Sequence, residues 1–509
     1  MQNYAIDRHR VTPQTVRSDP REVMNNAGGF VYGLNEFDRL RRFLILGADG
    51  ATFYVSKREM VAGNYEAILT ALRSDAERAI DIIVDVNVNG LAHKVDPQIF
   101  ALAVASVDKR VAVRSLALSR LGDICRIPTH LFMFLQYRKQ LGGKWGSLIR
   151  KVVGEWYSRD IHALAFGMTK YRNREGWTHR DVLRLAHVKP VSEKHNALFG
   201  WAVGGKVTPQ APQAVHTYES IRNETNPEKV VDFLVQNHHT PREYLSTEVL
   251  KDAGVWRAML PNMPMTAMIR NLRNMSNYGV FNRECEELVV QKLRGIRGSM
   301  VHPMSVLIAM SEYKKEGNSS ALIVGALNNA FHDAFVNVEP TGKRIMIGLD
   351  VSGSMGLPFN GSMSVRMAAT AMSLVTVNVE DCADVYGFCN SITKLPIARG
   401  WNLNAAMKAV HGLPFGATDC SLPMQVALLE KKSYDAFIVY TDNETWAGKM
   451  KPMEALRRYR SAMGIHAKLV VVGMTSTGFT IADPEDGGAM DVVGFDAGVP
   501  AVISDFIKG

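Results

Sequence analysis

Apolar residues recur at helical intervals through the first two thirds of the chain. They predict helical segments over Leu34–Leu46, Tyr65–Val84, Pro97–Leu118 and Thr129–Val153. Strand-like alternation is scarce there. Short punctuation interrupts the pattern at Gly47-Ala-Asp-Gly50, Asn89-Gly90, Gly142-Gly143 and Gly204-Gly205. Helix pairs of this size cannot bury their apolar faces alone. They predict a stacked solenoid whose two ends need capping or closure.

The pattern changes near residue 340. Apolar runs at Arg344–Asp350, Ala383–Phe388, Asp435–Asp442 and Lys468–Met474 read as strands. Helical stretches at Ser362–Val379, Asp419–Glu430 and Pro452–Met463 alternate with them. Strands apolar throughout, alternating with helices, predict a parallel sheet covered on both faces. The fold class is therefore α plus α/β: HEAT-like helical repeats over residues 1–340, units of ~40 residues, and a Rossmann-like domain over 341–509. Ligands of such sheets bind beyond the carboxyl ends of the strands.

Composition excludes several classes. Of 509 residues, 47% are hydrophobic and 21% charged, which rules out disordered, collagen-like and coiled-coil chains. Apolar runs such as Ala436–Tyr440 are far shorter than the ~20 residues of a membrane helix. The first ten residues lack the apolar core of a secretory signal. Five cysteines, none in a C-x-x-C pair, fit reduced, mostly buried thiols. A cytoplasmic protein without membrane contact is expected.

Charge narrows the picture further. The chain carries +9, yet residues 341–509 hold 15 Lys and Arg against 16 Asp and Glu. Within the first part, Arg138–Pro190 holds 12 basic residues against 4 acidic ones. A localised basic surface points to a polyanion, of which nucleic acid is the commonest; a merely solvated face is the alternative.

Asp350-Val-Ser-Gly-Ser354 follows directly on a buried strand. Alternate side chains of the loop converge, and an acid with two hydroxyls is hard-oxygen chemistry suited to Mg²⁺ or Mn²⁺. Thr418, before a helix, and Asp442, at the end of another apolar strand, can reach the same edge. Alone, Thr418 could be a helix cap and Asp442 a turn residue. The set Asp350, Ser352, Ser354, Thr418 and Asp442 resembles the metal-ion-dependent adhesion site of von Willebrand factor A domains, over Lys343–Gly509. That resemblance implies a divalent cation with one open position, commonly filled by a partner's acidic residue, and binding rather than catalysis.

The densest basic stretch is Lys170 to Pro190. Thr178 with Asp181 forms a capping-box start, and Pro190 favours a stop near Val188. At 100° per residue Arg180, Arg184 and His187 share an arc of ~60°. Val182, Leu183, Leu185 and Ala186 lie opposite. Lys170 and Arg174 stand four apart near the end of the preceding helix, with Tyr171 and Trp177 interleaved. Phosphate contact by these cations, with stacking on an RNA base, is one reading. A helix C-terminus complemented by His187 and Lys189, a core Trp177, and an Arg180 paired with acids make the other.

Thr169-Lys-Tyr, Arg174-x-Gly-Trp and Asp181-Val-Leu-Arg-Leu-Ala-His-Val-Lys-Pro190 resemble the signature of the Ro autoantigen, or TROVE, family. So does Arg41-Arg-Phe-Leu-Ile-Leu-Gly-Ala-Asp-Gly50-Ala-Thr-Phe-Tyr54. A TROVE module followed by a von Willebrand A domain is that family's architecture. The resemblance implies a doughnut-like ring of helical repeats closed by the A domain, and a ring closed in this way is expected to be a monomer. It implies small noncoding Y RNAs on the outer surface, with Lys170, Arg174 and His187 as contacts. Arg172, Arg180 and Arg184 join them from the helical-face argument. Single-stranded ends of misfolded RNAs would enter the central hole, for which Arg138, Lys139, Lys144 and Arg150 are candidate lining residues. RNA quality control, stress-time turnover and a link through Y RNA to polynucleotide phosphorylase follow from the same resemblance.

Three functions thus compete. The first is a non-catalytic RNA scaffold. The second is a protein-interaction module using the metal, with an incidental basic surface. The third, a metal-dependent hydrolase, lacks a nucleophile–base pair; His411, seven residues before Thr418, reads as helical surface.

Overall fold

The computed structural model describes residues 11–508 apart from 48–56, 91, 93, 300, 302, 316, 318, 337–339, 357, 360–362, 414–415, 475–476, 494–502 and 505. It opens on a hairpin, β1 (Glu22–Met24) and β2 (Phe30–Gly33). Helices follow from Glu36 to Asp333, broken by a two-residue hairpin, β3 (Asn173–Arg174) and β4 (Trp177–Thr178). The last part carries β5 (Arg344–Asp350), a small hairpin of β6 (Pro358–Phe359) and β7 (Met363–Ser364), then β8 (Cys382–Phe388) and β9 (Ile392–Leu395). It ends with β10 (Ala436–Thr441), β11 (Lys468–Gly473), β12 (Phe479–Thr480) and β13 (Ala489–Val493).

Local chemistry explains the helix boundaries. Asn35 caps Glu36–Leu46 by accepting from the amides of Phe37 and Asp38 at 3.0 and 2.9 Å. The expected segment Tyr65–Val84 is two helices, Lys57–Ser74 and Ala76–Val88, because Asp75 turns to cap the second through the Arg78 amide. Pro97–Leu118 likewise divides into Asp96–Ala105 and Val111–Ser119, and Thr129–Val153 into Pro128–Gln140 and Ser147–Tyr157. The family-like stretch from Ala48 to Tyr54 lies outside the described residues.

The main sheet runs β13-β11-β10-β5-β8-β9, parallel except for the antiparallel edge strand β9. All six residues of β10 are buried. Ile438 and Tyr440 face one cluster with the helix Val365–Val379, whereas Phe437 and Val439 face another with Leu456 and Tyr459. This is the two-sided burial that uninterrupted apolar strands require.

The same two clusters close the helical array. The first continues from the sheet into the helices from Tyr218 to Phe335. The second contains Val31 and Tyr32 of the N-terminal hairpin, whose β2 pairs with β12. The C-terminal α/β domain therefore grips both ends of the array. Buried charges fasten the join. Lys451 meets Glu22 at 3.0 Å, with their side chains 8% and 2% exposed. Arg42 pairs with Asp491 and donates to the Phe479 carbonyl at 3.0 Å.

No two of the five cysteines are joined, and all but Cys382 are buried. Among the described residues no helix is long and apolar enough to cross a membrane.

Candidate nucleic-acid interface and metal centre

The basic region is built on a rigid corner. The helix Ile161–Lys170 ends at Lys170, and the chain turns into the β3–β4 hairpin. Glu175 and Gly176 occupy its two turn positions with φ of 51° and 77°, the left-handed pair that a two-residue hairpin requires. Thr178 then caps His179–Ala186, with the reciprocal Thr178–Asp181 bonds of a capping box.

His179 holds this corner. It is buried, with Nε2 3.0 Å from the Tyr171 carbonyl and Nδ1 2.7 Å from the Tyr157 hydroxyl. A carbonyl only accepts, so Nε2 carries the proton and Nδ1 accepts from Tyr157. Burial pushes the imidazole pKa down to about 3, keeping it neutral.

A cleft of about 1200 Å³ opens beside this corner. Lys170, Arg172, Arg174 and Arg180 line it from this corner; Lys206, Arg222, Arg242 and Arg270 join them from later elements. Only Glu219 and Glu243 oppose these eight cations in the lining. Several guanidiniums are already positioned. Arg172 donates to the Tyr218 hydroxyl and lies over Trp201. Arg222 pairs with Glu219 at 2.9 Å, and Arg242 donates to Asn271 at 2.6 Å. Lys170, Arg180, Lys206 and Arg270 form no ion pair among the described residues.

Several expectations need correction. Arg174 does not share the end of the preceding helix with Lys170, since it lies in β3 beyond the helix end. Leu185 is 41% exposed, while His179 takes a core position on the same helix. The helix stops at Ala186, with His187 in the left-handed conformation at φ 52°. Arg184 and His187 are exposed but lie outside the cleft lining. Trp177 is buried and donates to Gln136 at 3.2 Å. Arg138 is no cavity-lining cation: it is buried, bonded to the Ser106 and Lys144 carbonyls.

The second constellation sits where β5 and β10, parallel neighbours, end at the same sheet edge. Asp350, Ser352, Ser354, Thr418 and Asp442 are all buried, the most exposed being Ser354 at 8%. The Ser352 amide and the Thr441 hydroxyl each donate to Asp350 at 2.8 Å. The Ser352 and Ser354 hydroxyls are 3.2 Å apart, and Ser354 hydrogen-bonds Asp442. Thr418 is not a helix cap; Ser421 takes that place, and the Thr418 carbonyl accepts from the amides of Trp446 and Ala447.

Two acids side by side in a buried site repel. Burial raises both carboxyl pKa values, and the charge of Asp442 raises that of Asp350 further. Nearby Arg366 is turned to the Val351 and Ser352 carbonyls at 3.0 and 3.1 Å. Two carboxyls with three hydroxyls, and no thiolate or imidazole, form an oxygen donor set that fits Mg²⁺ or Mn²⁺. Among the described residues, no group of three or more His, Cys, Asp and Glu could hold a metal, so the hydroxyls are needed to complete such a shell. His411 ends its helix exposed and supplies no base here.

Sequence reasoning missed His179 and the cleft cations beyond residue 190. Gly204-Gly205 reads only as punctuation, and Lys206, Arg222, Arg242 and Arg270 share no local spacing with Lys170.

A TROVE domain family model matches residues 23–232 and 234–351, and a Ro60 vWA domain model matches 344–507. An RNA-binding protein RO60 from Deinococcus radiodurans is 36% identical over 98% of this chain and 97% of its own length. Another from Caenorhabditis elegans is 32% identical over 98% of this chain and 92% of its own. The crystal structure of the Deinococcus radiodurans RO (RSR) protein superposes with a TM-score of 0.72 at 34% identity, covering 93% of this chain and 100% of that one.

Proposed function

The chain belongs to the Ro family, a TROVE module joined to a Ro60-type von Willebrand A domain, and from that premise we propose that it is a non-catalytic RNA-binding protein. The observation that carries this reading is the cleft, with eight Lys and Arg side chains against two Glu. Cations there neutralise phosphates and release counterions, and Arg180, Arg184 and His187 are exposed to meet further phosphates. Tyr171 and Trp201 on the cleft wall supply rings for base stacking.

The RNA is a small noncoding RNA of the Y type, held by Lys170, Arg172, Arg174, Arg180, Arg184 and His187. Single-stranded ends of misfolded RNAs enter the middle of the ring, which suits a role in RNA quality control and in turnover under stress. An exonuclease of the polynucleotide phosphorylase kind is recruited through the Y RNA. The protein works as a cytoplasmic monomer.

Asp350, Ser352, Ser354, Thr418 and Asp442 hold Mg²⁺, with Mn²⁺ as substitute. When bound, the cation neutralises the two carboxylates and leaves a position for an acidic oxygen of a partner. That buried pair supports the second reading, a protein-interaction module.

Filter binding of small RNA from the source cell, across a salt series, tests the proposal. Wild type is compared with the Lys170→Ala, Arg174→Ala, His187→Ala triple variant. Salt-sensitive binding of one or two RNAs, weakened in the variant, is expected. Equal binding by both breaks the residue assignment. Loss of partner binding with chelator but not with salt favours the metal-centred reading.

A further inference from the structure

The N-terminal segment does more than pair one strand with the A domain: it sits on the two loops that carry Thr418 and Asp442. Gln14 donates to Asp419 at 2.7 Å and to the Met450 carbonyl at 2.9 Å, and its amide reaches the Gly448 carbonyl at 3.0 Å. Thr445 returns a bond to Gln14 and also donates to the Thr418 carbonyl at 3.3 Å. Asn25 donates to the carbonyls of Asn443 and Thr445 at 3.2 and 2.9 Å. Asn26 and the Ala27 amide grip the Glu444 carboxylate at 2.7 and 3.1 Å, and the Glu444 amide in turn donates to Asp442 at 3.1 Å. The fit is close: a Cβ on Gly29 would stand 1.9 Å from the Thr445 carbonyl oxygen.

One segment thus bridges both loops, and it continues through β2 into the first helix of the array. We propose that docking of residues 14–29 and occupation of the Asp350/Asp442 site stabilise each other, so that a divalent cation latches the closure of the ring. The proposal rests on the metal reading above. A cation fixes the Thr418 and Asp442 loops in the arrangement the segment recognises. The docked segment holds those loops ready for the cation. Linkage makes the two effects equal in size.

Mn²⁺ titration calorimetry on the full chain, beside a Gln14→Ala, Asn26→Ala double variant, measures one direction. Amide hydrogen exchange over residues 13–33, with and without Mn²⁺, measures the other and needs no variant. The double variant should bind Mn²⁺ about fivefold or more weakly. Mn²⁺ should slow exchange at the Gln14 and Phe30 amides by a like factor, and Asp442→Asn should abolish the slowing. Equal affinities in wild type and variant, or unchanged exchange, overturn the latch while leaving the metal site standing. No Mn²⁺ binding by wild type overturns the metal reading and the latch with it.

Discussion

The hydroxyl of Tyr157 donates to Nδ1 of His179 across 2.7 Å, inside the corner that carries the basic cleft. The ring's other nitrogen donates to the Tyr171 carbonyl, so the neutral form satisfies both partners. The folded pKa is about 3, below the ordinary 6.5. Between those values the unfolded chain binds a proton that the folded one refuses. This contribution to stability is complete above pH 6.5 and falls as pH drops toward 3, by roughly 1.4 kcal/mol per unit. His179→Phe removes that slope and costs about 1–3 kcal/mol at pH 7 by stranding the Tyr171 carbonyl. Urea denaturation at pH 7.5 and pH 5.5 checks it: the wild type should lose more stability than the variant on acidification.

The two groups of cations in the cleft can be told apart by salt. Lys206→Ala with Arg270→Ala removes two cations that have no ion pair among the described residues and lie outside the Lys170–Pro190 stretch. If each meets one phosphate of a single strand, the slope of log K against log salt should flatten by about 1.4. Binding assays on a single-stranded RNA from 50 to 200 mM salt measure it. An unchanged slope would confine the ligand to the cations of the Lys170–Arg180 corner.

Local signals were legible and remote ones were not. β5 and the helix Pro452–Met463 begin and end as the apolar pattern predicts, because each is long, buried and clearly punctuated. The capping box at Thr178 is a three-residue motif, so it too was readable. The break at Asp75 was missed because apolar spacing runs straight through a cap made by one side chain. β9 and β13 are edge strands, and the N-terminal hairpin is only three and four residues per strand. The closure depends on pairs such as Gln14 with Asp419, 405 residues apart, which no spacing rule can join. Asp350, Ser352 and Ser354 were singled out because their loop follows a buried strand. Lys206, Arg222, Arg242 and Arg270 were not, since each lies on a different element.

Metal addition should change stability in a residue-specific way. The Asp350 and Asp442 carboxyls lie close in a buried site, and the charge of Asp442 raises the pKa of Asp350. A cation bound only by the folded chain stabilises it by mass action, about 2.7 kcal/mol at a hundredfold excess over its Kd. Thermal unfolding should therefore shift upward with Mg²⁺ or Mn²⁺ and return with chelator. Asp442→Asn should remove the shift while raising the metal-free midpoint, because one of two repelling acids is gone. A metal shift of the same size in that variant would place the cation elsewhere.

The Glu22–Lys451 pair permits a sharper test of what holds the ring shut. Glu22 also accepts from the Ser18 amide and hydroxyl at 2.8 and 3.0 Å, while Lys451 also donates to the Phe30 carbonyl at 2.9 Å. Lys451→Met keeps the buried stem but leaves the carboxylate without its cation, at a cost of about 3–5 kcal/mol. Glu22→Gln strands the ammonium in the same way. A double variant, Glu22→Gln with Lys451→Met, removes both charges, so most of the loss should return. Hydrogen exchange over β1 and β2 reads the effect where it arises. Rapid exchange there in either single variant, recovering in the double, would identify the pair as a fastener whose halves depend on each other. Additive losses would mean that each residue acts through its other bonds, and that the hairpin is held chiefly by β2 against β12 and by Val31 and Tyr32 in the apolar cluster.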